Sequence, residues 1–373
     1  MAADQATNAP LAWARAACEA LMAAYEPAEL PPARMWHYHQ GVFLCGMEML
    51  AERTGDERYD RYIRGYVDSL VDERGNLIFL RDELDAVQAG LLLFRLAKQT
   101  GLDKYRTAAA RLRGLFDTLN RTGCGGFWHK DSLPYNMWLD GLYMGGVFGL
   151  AYAAAYGDEE LRGTILLQER LMRRHMRDPQ TGLLYHAWDE SRRMPWADPV
   201  TGLSPSFWGR SLGWYVLAVA QFIDLLPGEA HAEARSELSG ALRETLTALI
   251  RYQDADSGLW YQVVDKGDRP DNWLETSCSS LFVYAIAVAV RQGTLPPECA
   301  EAAQRGYRGL VERLRQDEHG RLVLPDICIG TAAGDYDYYV SRSTSANDLH
   351  GIGAFVMACV AVDALSAGDR QPA

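Results

Sequence analysis

Apolar residues recur at helical spacing along almost the whole chain. Tyr59, Tyr62, Ile63, Tyr66, Val67 and Leu70 form one stripe, and Tyr105, Ala108, Leu112, Leu115, Phe116 and Leu119 form another. The opposite faces of these segments are charged, as at Asp60, Arg61 and Arg64. Other segments are apolar nearly all round, namely 141–156, 214–226 and 281–290. A helix without a polar face must be buried on every side. The two kinds alternate. The pattern predicts twelve helices, over 11–25, 38–53, 56–71, 85–99, 103–119, 141–156, 158–176, 207–226, 231–252, 275–292, 297–316 and 350–366.

Tight turns at 55–56, 101–103 and 157–158 each lead from an even-numbered helix into the next odd one. Asp56-Glu57-Arg58-Tyr59 and Asp103-Lys104-Tyr105 read as copies of one turn, the signature of stacked helical hairpins. The longer loops all lead into even helices. Six hairpins with apolar inner helices predict an all-α fold, an (α/α)6 barrel. An open solenoid is the competing architecture, but it would leave part of the inner surface wet. No Pro/Gly/Ser linker divides the chain, so the expectation is a single catalytic domain over 1–373.

Composition narrows the functions open to such a barrel. The 373 residues are 48% hydrophobic and 23% charged, which suits a globular protein with a large core. Lysine plus arginine number 37 against 49 acidic residues, a net charge of −12. That balance disfavours nucleic acid and anionic membrane as partners. Residues 1–10 lack a basic, apolar signal pattern, and the longest fully apolar run, 281–290, is too short to span a bilayer. The seven cysteines are scattered and without a CxxC pair, as in a reducing, cytoplasmic setting. No closely spaced ligand set indicates a metal, and no phosphate loop or GxSxG elbow occurs, so no cofactor is expected. The chain is expected to act as a monomer or small homo-oligomer.

The chemistry collects in the long loops. The stretch 127–145 passes from a polar, aromatic loop through Asp140 into an apolar helix. A carboxylate there is either a helix cap or an acid at the mouth of a pocket walled by Trp128, Tyr135 and Trp138, with His129 nearby. Asp85 holds the same position one hairpin earlier, and adjacent inner helices lie roughly 8–10 Å apart, so both carboxylates can face one pocket. Two carboxylates across a sugar are what glycoside chemistry requires. Glu275 is a third candidate, or equally a first-turn helix acid. Arg210 stands between Trp208 and Trp214, placed to pair with a ligand carboxylate or with a neighbouring loop. His37 and His186 each lie beside aromatics, as in sugar-binding clefts.

Four ordered blocks, Trp138-Leu139-Asp140-Gly141, Tyr185-His186-Ala187-Trp188-Asp189, Trp208-Gly209-Arg210-Ser211-Leu212-Gly213-Trp214 and Trp273-Leu274-Glu275-Thr276-Ser277, resemble family 105 of the glycoside hydrolases, the unsaturated rhamnogalacturonyl hydrolases, which are related to the unsaturated glucuronyl hydrolases. The resemblance runs from Trp36 to about Leu365. It implies an (α/α)6 barrel, no metal, and a substrate left by polysaccharide lyases: an oligosaccharide ending in a 4,5-unsaturated uronic acid. The implied chemistry is hydration of a vinyl ether. An acid protonates C4, water adds at C5, and the resulting hemiketal opens to release the saccharide. The resemblance gives Asp140 the acid's role and Asp85 the positioning of water or hydroxyls. It places His129, His186, Trp208, Arg210 and Trp214 at sugar-binding positions, with Arg210 or a histidine on the uronate, and His37, Trp138 and Glu275 are expected to complete the substrate contacts. In the substrate complex burial, Asp85 and the bound uronate are expected to raise the pKa of Asp140 against Arg210 and any protonated histidine, and to give a mildly acidic optimum. The rival readings are another (α/α)6 carbohydrate enzyme, an inverting glycosidase or an epimerase using His129, His186 and His350, and a non-catalytic carbohydrate-binding protein.

Overall fold

The computed structural model describes residues 9–78 and 83–368; residues 1–8, which carry most of the segment searched for a signal, lie outside them. Thirteen α-helices form among the described residues: α1 (Pro10–Ala24), α2 (Tyr38–Thr54), α3 (Glu57–Leu70), α4 (Leu92–Thr100), α5 (Asp103–Leu115), α6 (Val147–Tyr156), α7 (Glu159–Met176), α8 (Gly209–Asp224), α9 (Ala232–Arg251), α10 (Thr276–Arg291), α11 (Ala300–Arg313), α12 (Tyr336–Val340) and α13 (Leu349–Ser366). Every helix expected from the periodicity has a counterpart. The short α12 has no precursor in the pattern, because five residues hold too little periodicity to read.

The inner helices close into a ring. The turn Gln88–Leu91 before α4 packs on α2 and α6, α6 on α8, α8 on α10, α10 on α13, and α13 back on α2. Closure excludes the open solenoid and makes the fold an (α/α)6 barrel. Helices α1, α3, α5, α7, α9 and α11 form the outer layer. Helix α13 is long and apolar enough to cross a bilayer by composition alone, but here it is an inner stave with 83% of its length buried. A Cβ on Gly213 would lie 2.6 Å from Leu281, so glycine is what lets α8 and α10 approach this closely. One hydrophobic cluster runs from Ala14 to Val362.

The two barrel ends are built differently. At one end α2, α4 and α6 stop on Gly55, Gly101 and Gly157, with φ of 68°, 70° and 72°. Each glycine's N–H returns to a carbonyl four residues back, and the left-handed conformation ends the helix. Asp56 and Asp158 then cap α3 and α7 by accepting from Arg58 N and Leu161 N. At the other end lie the long loops, which carry three antiparallel ladders: β1 (Asn136–Trp138) with β2 (Ala187–Asp189), β3 (Arg315–Gln316) with β4 (Leu322–Val323), and β5 (Ile327–Cys328) with β6 (Thr344–Ser345).

Two inner helices begin irregularly at this rim. The segment expected as a helix over 85–99 starts as two 3-10 turns, Leu84–Ala86 and Gln88–Leu91, because Leu84 N–H is drawn out to the carbonyl of His129 at 3.1 Å. The segment 141–156 opens with a π-turn, Leu142–Gly146, directly after Asp140. Such widened turns recur at functional sites.

Candidate active site

Backbone pairing brings the rim loops together. The β1–β2 register sets Trp138 opposite Ala187, and Leu139 N–H donates to the carbonyl of His186 at 3.0 Å. That places Asp140 beside His186. On the other side of the same loop, Glu83 and Lys130 form a bridge, which places Asp85 beside His129 and Lys130. The result is a cleft of about 480 Å³. His37, Asp85, His129, Trp138 and Asp140 line it, as do Tyr38, His39, Lys130 and residues 330–332.

Asp140 occupies the first turn of its helix and is only 8% exposed. His186 Nε2 lies 3.1 Å from Asp140 Oδ2. The two atoms are in ion-pair range but off the hydrogen-bond axis, and neither has another partner. Behind them, His186 Nδ1 lies 2.7 Å from the hydroxyl of Tyr339, and that hydroxyl accepts the N–H of Gly334 at 3.0 Å. The phenol thus fixes the His186 ring with Nε2 toward Asp140. Burial pushes the carboxyl of Asp140 up, but the charge and contact of His186, then His129 and Arg210, bring it below the ordinary aspartate range. The raised pKa expected in the substrate complex is therefore not present in the free site. The desolvation is present, but three nitrogen groups outweigh it.

Asp85 is held by Lys130, with Nζ at 3.3 Å, and by His129, with Nε2 at 3.4 Å. Lys130 also reaches Glu83 at 2.6 Å. Burial pushes His129 below the usual histidine range, with Asp85 and Asp140 acting the other way. Its ring stacks on Trp138 at 4.5 Å and 16°, and its Nδ1 has no hydrogen-bond partner.

The other proposed residues fall into two groups. His37, His129, Trp138, Asp85 and Asp140 meet in the cleft, while His186 supports it from behind. Arg210 and Trp208 lie underneath: the guanidinium sits 4.5 Å over the Trp208 ring and donates to the carbonyls of Cys328 and Ile329 at 2.6 and 2.7 Å. Arg210 thus anchors the segment that continues into cleft residues 330–332. Trp214 is corrected: it is buried and stacked on Tyr143 at 5.1 Å, away from the cleft lining. Glu275 is corrected too. It is fully buried and caps α10, accepting from Ser277 N, Cys278 N, Ser277 Oγ and Cys328 N, so its oxygens are committed within the protein. Trp128 and Tyr135 pair with each other at 5.0 Å and leave Trp138 to wall the cleft.

Sequence reasoning missed Lys130, Tyr38 and Tyr339. Lys130 carried a signal, a cation directly after His129. Tyr339 carried none, since its partner is 153 residues away. Two groups of histidines and carboxylates also converge, His37 with Glu83 and Asp85, and His39 with Asp348 and His350. At the opposite barrel mouth lies a largely apolar cavity of about 680 Å³, into which Glu48 projects. Burial, then Glu52, push Glu48 up to about 8.

The comparisons agree with this geometry. The sequence model described as Glycosyl Hydrolase Family 88 matches residues 13–365. Unsaturated rhamnogalacturonyl hydrolase YesR of Bacillus subtilis is 31% identical over 257 residues, covering 67% of this chain and 70% of that protein. A family-105 glycoside hydrolase of C. acetobutylicum superposes with a TM-score of 0.87 at 36% identity, covering 94% of this chain and 99% of that one. An unsaturated glucuronyl hydrolase from Bacillus sp. GL1 shares the fold at a TM-score of 0.67 and 17% identity, covering 87% of this chain and 85% of that one. A barrel of six hairpins, a carboxylate pair at its loop end and a family match along nearly the full length make one assignment: the chain is a glycoside hydrolase and belongs to glycosyl hydrolase family 88, on its family-105 side.

Proposed function

We propose that this enzyme removes the terminal 4,5-unsaturated uronic acid from oligosaccharides left by polysaccharide lyases, with the rhamnogalacturonan type as its substrate class, and that the whole chain acts as one catalytic domain. The observation that carries the reading is Asp140, a buried carboxylate with an unbonded oxygen, in the same cleft as Asp85. The likeness to YesR and to the family-105 hydrolase supports the substrate class.

In this reading Asp140 donates a proton to C4 of the vinyl ether. Water held by Asp85 adds at C5, and the hemiketal opens. Asp140 is ionised in the free site, so it takes up its proton as substrate binds. The uronate adds negative charge and the closed cleft loses water, and both raise a carboxyl pKa. Tyr339 assists by holding the His186 ring in place, with its hydroxyl 2.7 Å from Nδ1. Arg210 holds the 330–332 segment against the substrate. Lyase action removes the C4 stereocentre, so the enzyme selects its substrate through the sugar beyond the cleaved bond.

The test is an assay on paired disaccharides that differ only in the double bond. The unsaturated one should lose its vinyl-ether absorbance and release its second sugar, while the saturated one stays intact. Cleavage of both at similar rates would make the enzyme an ordinary inverting glycosidase. Within the unsaturated class, a rhamnose-linked substrate should exceed glucose-linked and hexosamine-linked ones in kcat/KM.

A further inference from the structure

We propose that His39, Asp348 and His350 form a binding site for one divalent transition-metal ion of the zinc type, beside the cleft. One ligand atom from each residue lies within 4.8 Å of the others. His39 stands in the first turn of α2, Asp348 at the N-cap of α13, and His350 in the first turn of α13. Helices α2 and α13 are the packed neighbours that close the ring, so the three residues are carried by rigid elements.

Three features set this cluster apart from ordinary polar packing. His350 is fully buried, and neither of its ring nitrogens has a hydrogen-bond partner. A buried imidazole without a bond at either nitrogen is an unusual expense for a core, and a ligand removes it. Asp348 occupies a capping position but makes no side-chain cap bond. Its carboxylate instead lies 2.8 Å from His350 Nδ1, off the hydrogen-bond axis. The hydroxyl of Tyr38 meets His39 Nε2 at 2.8 Å and fixes that ring, as outer partners do around metal-bound histidines.

The neighbouring group of His37, Glu83 and Asp85 differs in one respect. Lys130 already neutralises both of its carboxylates, at 2.6 and 3.3 Å. Among the described residues no lysine or arginine forms an ion pair with Asp348. Two imidazoles and one carboxylate suit zinc or cobalt, whereas calcium and magnesium prefer oxygen alone. Three protein ligands leave a coordination position free for water, and His39 itself lines the cleft. Chain separation hides the site from a spacing search, because its histidines lie at opposite ends of the sequence.

The experiment uses the untagged full chain, stripped with chelator and dialysed. Zinc chloride titrated by calorimetry should bind at one equivalent, and cobalt should give a visible band of low-symmetry coordination. Magnesium and calcium should not compete. Asp348→Asn and His350→Gln should each weaken zinc binding by at least about tenfold. Glu83→Gln should leave it unchanged. Circular dichroism checks folding, and Asp348→Asn carries the test alone if the buried His350 variant is unstable. Absence of zinc binding, equal binding in Asp348→Asn, or loss on Glu83→Gln would each overturn the site. The readout is binding, so it stands apart from the assay of activity.

Discussion

The two mouths of the barrel are made from the same six hairpins and end in opposite ways. At the turn mouth, Gly55, Gly101 and Gly157 stop three inner helices in one conformation, and a Cβ on any of them would meet nothing within 4 Å. At the rim, Asp140, His129, His186, Trp138 and His350 all carry buried polar atoms without hydrogen-bond partners. Local rules satisfied by neighbours in sequence build the first mouth. The second holds unfilled bonding capacity on groups brought from distant loops. Polar groups left unpaired beside a cleft are where a ligand finds its partners.

The contrast predicts that rim substitutions act on kinetics and turn substitutions on stability. The largest effect is expected for Asp140→Asn, which keeps the shape but has no proton to give. Turnover should fall about 10²–10⁴-fold while substrate still binds. Substantial remaining turnover would remove Asp140 from the acid's role.

Next is Arg210→Lys. A single ammonium cannot span the carbonyls of Cys328 and Ile329 as a guanidinium does. KM should rise by about one order of magnitude with kcat changed far less, as expected when uniform binding is lost. A fall in kcat at constant KM would place Arg210 in the chemical step instead.

Gly157→Ala tests the other mouth. It forces a side chain into the left-handed region and should cost about 1–2 kcal/mol in chemical denaturation, with kcat and KM unchanged. A kinetic effect here would show that the two ends are not independent.

Tyr339→Phe removes both the contact to His186 Nδ1 and the acceptor of Gly334 N–H, and a loss of about 1 kcal/mol in the positioning of His186 is roughly fivefold in kcat. The fall in kcat should come with little change in KM, because His186 touches Asp140 and lies behind the cleft. A merely structural tyrosine would lower Tm and leave kcat in place.

The last effect is one of pH on stability rather than of kinetics, and it belongs to Glu48. Its folded pKa of about 8 lies above the ordinary 4.5, so between these values the folded state keeps a proton that the unfolded chain has released. Stability should therefore decline as pH rises across that interval. Glu48→Gln should flatten the decline when Tm is compared at the two ends of the interval, with no change in activity.

What the sequence revealed follows the same division. The barrel was legible because amphipathic and all-apolar helices alternate, and because Gly-Asp turns recur between them. Asp85 and Asp140 were legible because each precedes an apolar helix. Glu275 occupies the same kind of position and proved to be a cap, since Ser277 and Cys278 supply donors within three residues and Cys328 adds another. Position before a helix does not separate the two uses; only the fate of the carboxylate oxygens does. Trp214 was misplaced because it belongs to an all-apolar helix whose faces cannot be told apart by period. The direction of the Asp140 shift in the free site was not legible, because it depends on His186, which reaches it through a ladder formed by another loop. The contact of Tyr339 with His186 and the convergence of His39 with His350 stayed hidden for the same reason.

The ladder from β1 to β2 and the bridge from Glu83 to Lys130 bind three successive rim loops through their main chains. For anyone recombining this enzyme with a relative of different selectivity, the natural cassette is therefore not a single loop. Segments 83–85, 127–140 and 186–204 form one belt, and a graft that moves only the middle one must re-register both seams at once. Exchanged as a trio, they carry their own stitching, and the inner staves beneath need not change.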